Sequence, residues 1–215
     1  MNLITLIDPR SPISEAYRTL RTNLSFYSLD NPIRTLVVTS PAVGEGKSTT
    51  VANLAVTLAQ SGRRTILVDC DLRRPSLHEL FDLNSAPGLT NLVLDEVDRP
   101  PLQETAVDNL WLLASGPQPP NPADMLGTRK VDQVVETLTE MADIVLFDAP
   151  PVIAVTDAAV LGAKVDGVLL VISAGKTRRE HAERAKELLE KARVRIVGVT
   201  LTNAPRDSSI RGYYG

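Results

Sequence analysis

At 215 residues the chain suffices for one large domain, and no Ser/Gly-rich linker divides it. Its net charge of −3 is spread over interspersed acidic and basic residues, which argues against a sequence-independent hold on nucleic acid. The longest apolar stretch, Gly167 to Ala174, is far short of the ~20 residues of a membrane span, and Met1 to Pro12 contains Asp8 and lacks the apolar core of a signal peptide. The single cysteine, Cys70, cannot form an internal disulfide, which fits a reducing cytosol. Between two aspartates it reads as a small buried filler.

In chain order, Glu15, Arg18 and Arg21 come first, at an i, i+3 spacing that would bring them to one side of a helix. A β-branched run, Thr35 to Val38, then leads into Thr39 to Ala55 (TSPAVGEGKSTTVANLA), which opens a helix-like segment, Ser48 to Ser61. Strand, glycine-bearing loop and helix in that order form a phosphate-binding loop. Gly44 and Gly46 permit conformations in which successive amides point into one concavity, and the following helix directs its dipole at the same anion. The loop residues Val43, Gly44, Glu45, Gly46, Lys47, Ser48 and Thr49 are the candidate nucleotide-binding set. Lys47 would reach the β- and γ-phosphates, and Ser48 would ligate Mg²⁺. Pro41 stands where the strict pattern has its first glycine.

The next strand, Thr65 to Val68, ends in Asp69-Cys70-Asp71, followed by Arg73. A βαβ crossover makes it a candidate neighbour of the first strand, so both carboxylates should emerge beside the bound phosphates. Their two jobs there would be holding Mg²⁺ and accepting a proton from an attacking hydroxyl. Leu110 to Leu113 reads as a strand, and Gly116 to Pro122 as a loop. A helix at Arg129 to Met141 precedes the strand Ile144 to Phe147, which ends at Asp148-Ala149-Pro150-Pro151, the position of a Walker B carboxylate. Strands at Gly167 to Ile172 and Arg195 to Leu201 flank a helix at Arg178 to Ala192 laced with Glu/Lys/Arg pairs. Short strands, apolar on both faces and alternating with helices, imply an α/β fold: a mostly parallel β-sheet sandwiched by helices, with ligands at the carboxyl strand ends. The last ten residues, Arg206 to Gly215, are polar, glycine-containing and terminal, hence expected to be mobile, and carry Tyr213 and Tyr214.

These motifs resemble the bacterial tyrosine kinases of capsule and exopolysaccharide synthesis, P-loop NTPases related to the partitioning ATPases. ILVDCDLRRP is similar to that family's second Walker motif, LFDAPP to its Walker B, and Glu15 to Arg21 to its E-x-x-R-x-x-R helix. The signature lysine of the partitioning relatives would fall at Ala42 and is missing. The resemblance implies a single P-loop kinase domain over 1–215, with an oligomerisation helix at about 12–27 acting through Glu15, Arg18 and Arg21 to build a homo-oligomeric ring. It implies ATP and Mg²⁺ as cofactors and phosphoryl transfer to tyrosine. Asp69 would take the proton, Asp71 and Asp148 would hold Mg²⁺ with Ser48, Asn203 would contact adenine, and Tyr213 and Tyr214 would accept phosphate. It further implies protein tyrosine substrates, a tyrosine phosphatase, and a membrane polysaccharide copolymerase as activator, fused or separate. That activator would hold a cytoplasmic kinase at the inner face of the membrane. Two other classes use the same site: a regulatory ATPase switch of the partitioning type and a non-enzymatic nucleotide-bound assembly module.

Overall fold

A computed structural model describes residues 3–29 and 32–205. They form a seven-stranded sheet of order β3-β4-β2-β5-β1-β6-β7. The strands are β1 (Thr35–Thr39), β2 (Thr65–Asp69), β3 (Gln103–Glu104), β4 (Leu110–Leu113), β5 (Ile144–Asp148), β6 (Gly167–Ser173) and β7 (Ile196–Thr202). Every pairing is parallel except that of β3 with β4.

The sheet's two faces follow from the strand period. Leu36 and Val38 of β1 pack to one side, with the apolar residues of α3 (Lys47–Gln60), while Val37 packs to the other. The first face is covered by α1 (Ile4–Ile7), α2 (Pro12–Tyr27), α3 and α4 (Leu77–Phe81). The second is covered by α5 (Leu89–Val93), α6 (Pro122–Leu126), α7 (Arg129–Met141), α8 (Asp157–Gly162) and α9 (Arg179–Lys191). β1, β2 and β5 have every residue buried, as expected of strands covered on both faces. β7 departs from that expectation: it is one of the two edge strands, and Val199 and Leu201 are 55% and 60% exposed.

The sheet order corrects one inference from the sequence. β2 does not lie beside β1, because β5 is inserted between them, with Val38 opposite Asp148 and Asp148 opposite Asp69. The β1-α3-β2 crossover skips one strand position. The consequence favours the site, since the three functional strand ends are brought into one row.

α2 begins with Ser11 as N-cap, its hydroxyl accepting from the Ser14 amide at 3.1 Å, and Pro12 in the first turn. It packs on α3, the helix that leaves the phosphate loop, and Arg21 donates to the Thr57 carbonyl at 2.8 Å. α1 is tied to the same helix by Thr5, whose amide and hydroxyl both donate to the buried Asn53 Oδ1 at 3.1 and 2.8 Å. Among the described residues no helix is long and apolar enough to cross a membrane.

Candidate active site

After Thr39 the chain turns through residues 40–46 and enters α3 at Lys47. Gly44 and Gly46 have φ of 74° and 89°, in the left-handed region where a Cβ is strained. Gly46 is the N-cap of α3. With no side chain there, the loop is free to aim its amides at a ligand, and the dipole of a 14-residue helix adds positive potential.

Lys47 is held between two carboxylates. Its Nζ lies 2.8 Å from Asp71 Oδ2, 3.2 Å from Asp148 Oδ1 and 3.2 Å from Ser48 Oγ. Burial lowers the lysine pKa, but the negative charges of Asp148 and Asp71 outweigh it and the net shift is upward. Asp148 has no exposed surface, and its Oδ2 has no hydrogen-bond partner. Burial pushes its carboxyl pKa up, against the pull of Lys47. A buried orphan oxygen costs ~1–3 kcal/mol unless a donor or cation reaches it. An under-satisfied carboxylate beside Asp71, Ser48 and a phosphate loop suits Mg²⁺, which takes one or two carboxylates and completes its shell with substrate phosphates and water. The residues present therefore fit MgATP.

Asp69 is also fully buried. Its Oδ2 accepts from the Ser76 and Leu77 amides at 3.0 and 2.9 Å, and its Oδ1 from the Asp71 amide at 3.2 Å. Burial first, then the charge of Asp148, pushes its pKa up to about 7, with the two amides opposing. Cys70, between Asp69 and Asp71, is buried, and burial raises its thiol pKa well above the usual value. That thiol is inert filler, as its neighbours suggested.

A cleft of about 430 Å³ opens over this arrangement. Lys47, Ser48 and Asp71 supply its polar wall, Pro150, Pro151 and Val155 an apolar one, and Arg73 and Arg74 also border it. The Pro150-Pro151 turn is bound to the loop's start, since Thr39 Oγ1 donates to the Pro150 carbonyl at 2.7 Å and the Val152 amide donates to Ser40 at 2.9 Å.

Of the candidate residues, Val43, Gly44, Gly46, Lys47, Ser48, Thr49 and Asp71 line the cleft. Asp69 and Asp148 lie enclosed at adjacent strand ends. Glu45 is 2% exposed and turned away from the cleft, its carboxylate accepting from the Ala42 amide and the Thr177 hydroxyl. Asn203, with φ of 54°, follows β7 and donates to Ser173 Oγ at 3.0 Å. Glu15 and Arg18 pair with each other at 2.9 Å on α2. Tyr213 and Tyr214 lie outside the described residues.

The sequence did not disclose the partner of Arg73. Its guanidinium grips the buried Asp157, the first residue of α8, through two contacts of 3.1 and 3.2 Å. Arg73 stands out beside the DxD pair, whereas Asp157 stands in an unremarkable run. Lys176, Thr177 and Thr202, which touch the phosphate loop from behind, gave no signal either.

A family model described as "ParA: NUBPL iron-transfer P-loop NTPase" matches residues 32–203. Tyrosine-protein kinase YwqD of Bacillus subtilis (strain 168) is 42% identical over 216 aligned residues, covering 100% of this chain and 91% of the relative. The putative tyrosine-protein kinase CapB of Staphylococcus aureus is 38% identical, over 96% of this chain and 91% of the relative. Among solved structures, the chimerical protein CapA2B2 superposes with a TM-score of 0.91 at 36% identity, over 95% of this chain and 90% of that one. A P-loop whose lysine bridges two acidic strand ends, on a fold shared over nearly the whole chain with these proteins, places the chain in the bacterial tyrosine kinase family of ParA-like P-loop NTPases.

Proposed function

We propose that this chain is an ATP-dependent protein-tyrosine autokinase that regulates capsule or exopolysaccharide synthesis and export. The observation that carries the reading is the contact of Lys47 with both Asp71 and Asp148 at the foot of the cleft. It gathers a phosphate-seeking cation and two metal-seeking carboxylates at one point.

The loop amides and Lys47 would bind the β- and γ-phosphates and stabilise charge on the group in transfer. Ser48, Asp71 and Asp148 would hold Mg²⁺, which when bound neutralises phosphate charge and orients the γ-phosphoryl group. A tyrosine hydroxyl attacks the γ-phosphorus, the bond to the β–γ bridging oxygen breaks, and ADP leaves. The phenol, with an ordinary pKa of ~10, gives up its proton during attack. Asp69, whose pKa of about 7 suits a general base at neutral pH, is assigned to take it. Asn203, at the end of β7, is assigned to the adenine side.

Tyr213 and Tyr214 are the proposed acceptors, with transfer between subunits of a ring joined through Glu15, Arg18 and Arg21. A membrane polysaccharide copolymerase, fused or separate, would activate the kinase and hold it at the inner face of the membrane, and a tyrosine phosphatase would reset it. Incubation with γ-labelled MgATP and the activator's cytoplasmic segment, followed by phosphosite mapping, tests this. Label on Tyr213 or Tyr214 is expected. ATP hydrolysis without protein label would instead establish the regulatory switch, a reading to which the ParA match over residues 32–203 lends some support.

A further inference from the structure

The sheet order sets β6 beside β1 and β7 beyond β6, and residues that end or follow these two strands reach the outer side of the phosphate loop. The turn after β6 closes on itself: the Thr177 amide donates to the Ser173 carbonyl at 2.9 Å, and the Ser173 amide donates to Thr177 Oγ1 at 2.9 Å. The same hydroxyl donates onward to Glu45 Oε1 at 2.5 Å. One residue earlier, Lys176 Nζ donates to the Gly44 carbonyl at 2.8 Å and approaches the Val43 carbonyl at 3.4 Å. From β7, Thr202 Oγ1 donates to the Glu45 carbonyl at 2.7 Å.

Apart from the long approach to Val43, these contacts fall on two constrained loop residues, Gly44 and Glu45. Gly44 is left-handed, and a Cβ on it would stand 2.9 Å from Lys176 Nζ. Glu45 is buried, and its other carboxylate oxygen holds the Ala42 amide at 3.0 Å. A peptide whose carbonyl is engaged on one side has its N–H directed to the other, because the group is planar and trans. Donors that engage the Val43, Gly44 and Glu45 carbonyls from behind therefore set where the amides of residues 44–46 point. A charged donor such as Lys176 holds more firmly than a neutral one.

We propose that Lys176, through the Gly44 carbonyl, and Thr177, through the Glu45 carboxylate, are positioning residues for the nucleotide reaction, a latch from the β6–α9 turn that fixes the outer side of the phosphate loop and so holds its amides toward the phosphates. The inference rests on the phosphate-loop reading and adds to it a pair of residues outside the motif. Because the latch acts on the loop and not on the reacting atoms, its loss should weaken nucleotide binding more than it slows transfer.

The test uses the whole chain, a fluorescent ADP analogue with Mg²⁺ for affinity, and steady-state kinetics for turnover. Lys176→Ala and Thr177→Val should each raise Kd and KM by about 5- to 20-fold, the range for loss of one charge-assisted or buried hydrogen bond, with a smaller change in kcat. Lys176→Arg and Thr177→Ser, which keep the donors, should restore most of the affinity. The melting temperature without nucleotide should stay near wild type for Lys176→Ala, whose contacts are exposed, and should fall by a few degrees for Thr177→Val, which strips a buried Glu45 oxygen of its donor, so affinities are read far below either melting point to separate the effect from unfolding. Unchanged Kd in both, or a loss that the conservative variants fail to rescue, would overturn the latch. So would a fall in kcat at unchanged Kd, which would make Lys176 a group that touches the reacting phosphate. Lys47→Arg, which retains the counter-charge on Asp148, is the control for the underlying reading: if its turnover matches wild type, the phosphate loop itself is misassigned. If Lys47→Arg is impaired while the latch variants bind normally, the latch alone is wrong.

Discussion

Asp69 is where two roles compete for one side chain. Its carboxylate closes the turn after β2 by accepting three amides, yet its raised pKa is that of a proton acceptor. Asp69→Asn keeps much of the first role and removes the second. It should lower kcat by roughly 10²–10⁴-fold with little change in MgATP affinity. Equal loss of both would mean that the turn, not the proton, is what Asp69 serves. The pH dependence follows from the same shift. Wild-type kcat/KM, which reports groups of the free enzyme, should rise with pH through about 7 as the carboxyl ionises, and the Asn variant should lose that limb. For stability the sign is opposite. The folded pKa lies above the ordinary carboxyl value of ~3.9, so the folded state binds the proton more tightly, and this contribution is full below about pH 4 and lost as pH approaches 7. Urea titrations at about pH 5 and pH 8 should therefore show the stability difference moving in favour of Asp69→Asn at the higher pH. Lys47→Met should abolish turnover and also destabilise, because it leaves Asp148 buried without its counter-charge, a change that costs about 3–5 kcal/mol in buried pairs. A calorimetric melt of that variant measures the cost directly.

At the scale of elements, α2 links the proposed interface to the nucleotide helix. Glu15 and Arg18 pair on its surface, and Arg18 also donates to the Pro9 carbonyl at 2.7 Å, whereas Arg21 reaches α3. The triple alanine variant should lower the mass seen by light scattering under conditions where wild type assembles. Glu15→Ala with Arg18→Ala should do so at nearly unchanged melting temperature, and Arg21→Ala should lower both, since of the three only Arg21 hydrogen-bonds to α3. The sequence showed the long elements well: β1, β2, β4, β5 and β6 lie within a residue or so of their apolar runs, and α3, α7 and α9 of their helical patterns. It missed α4, α5, α6 and α8, which have 5, 5, 5 and 6 residues, too few turns to display a 3.6-residue period. It also missed β3, whose two residues pair only through β4. Strand order was not legible, because β5 enters between β1 and β2 through contacts of long sequence separation that no local pattern encodes. In the site, Lys47 and Ser48 were visible through the glycine-bearing loop between a strand and a helix, and Asp69, Asp71 and Asp148 as acidic residues at the ends of apolar runs. Asp157, Lys176 and Thr202 were not, because their meaning lies only in what the fold puts opposite them.

At the scale of the molecule, the cleft and the end of β7 open at the same side of the sheet, and the chain continues from β7 toward Tyr213 and Tyr214. Reach alone allows several routes, since the ten residues from Asn203 to Tyr213 span at most ~35 Å. In-line attack must come from the γ-phosphate side, which a neighbour's tail can approach without crossing its own nucleotide. Mixing Lys47→Met protein that retains both tyrosines with active protein carrying Phe at both positions should therefore label the inactive partner. Absence of label, where mixed assemblies form and wild type labels itself, rules out transfer in trans. The insertion of β5 between β1 and β2 also bears on how the chain is made. On a ribosome, the phosphate loop and the Asp69-Asp71 turn emerge long before residues 144–148, and until then the middle of the sheet lacks the strand that joins them. Nascent chains that end before β5 should be cleaved by protease equally fast with and without MgADP, whereas chains that extend past β6 should be protected by it. The nucleotide can thus select the finished domain but cannot template its first half.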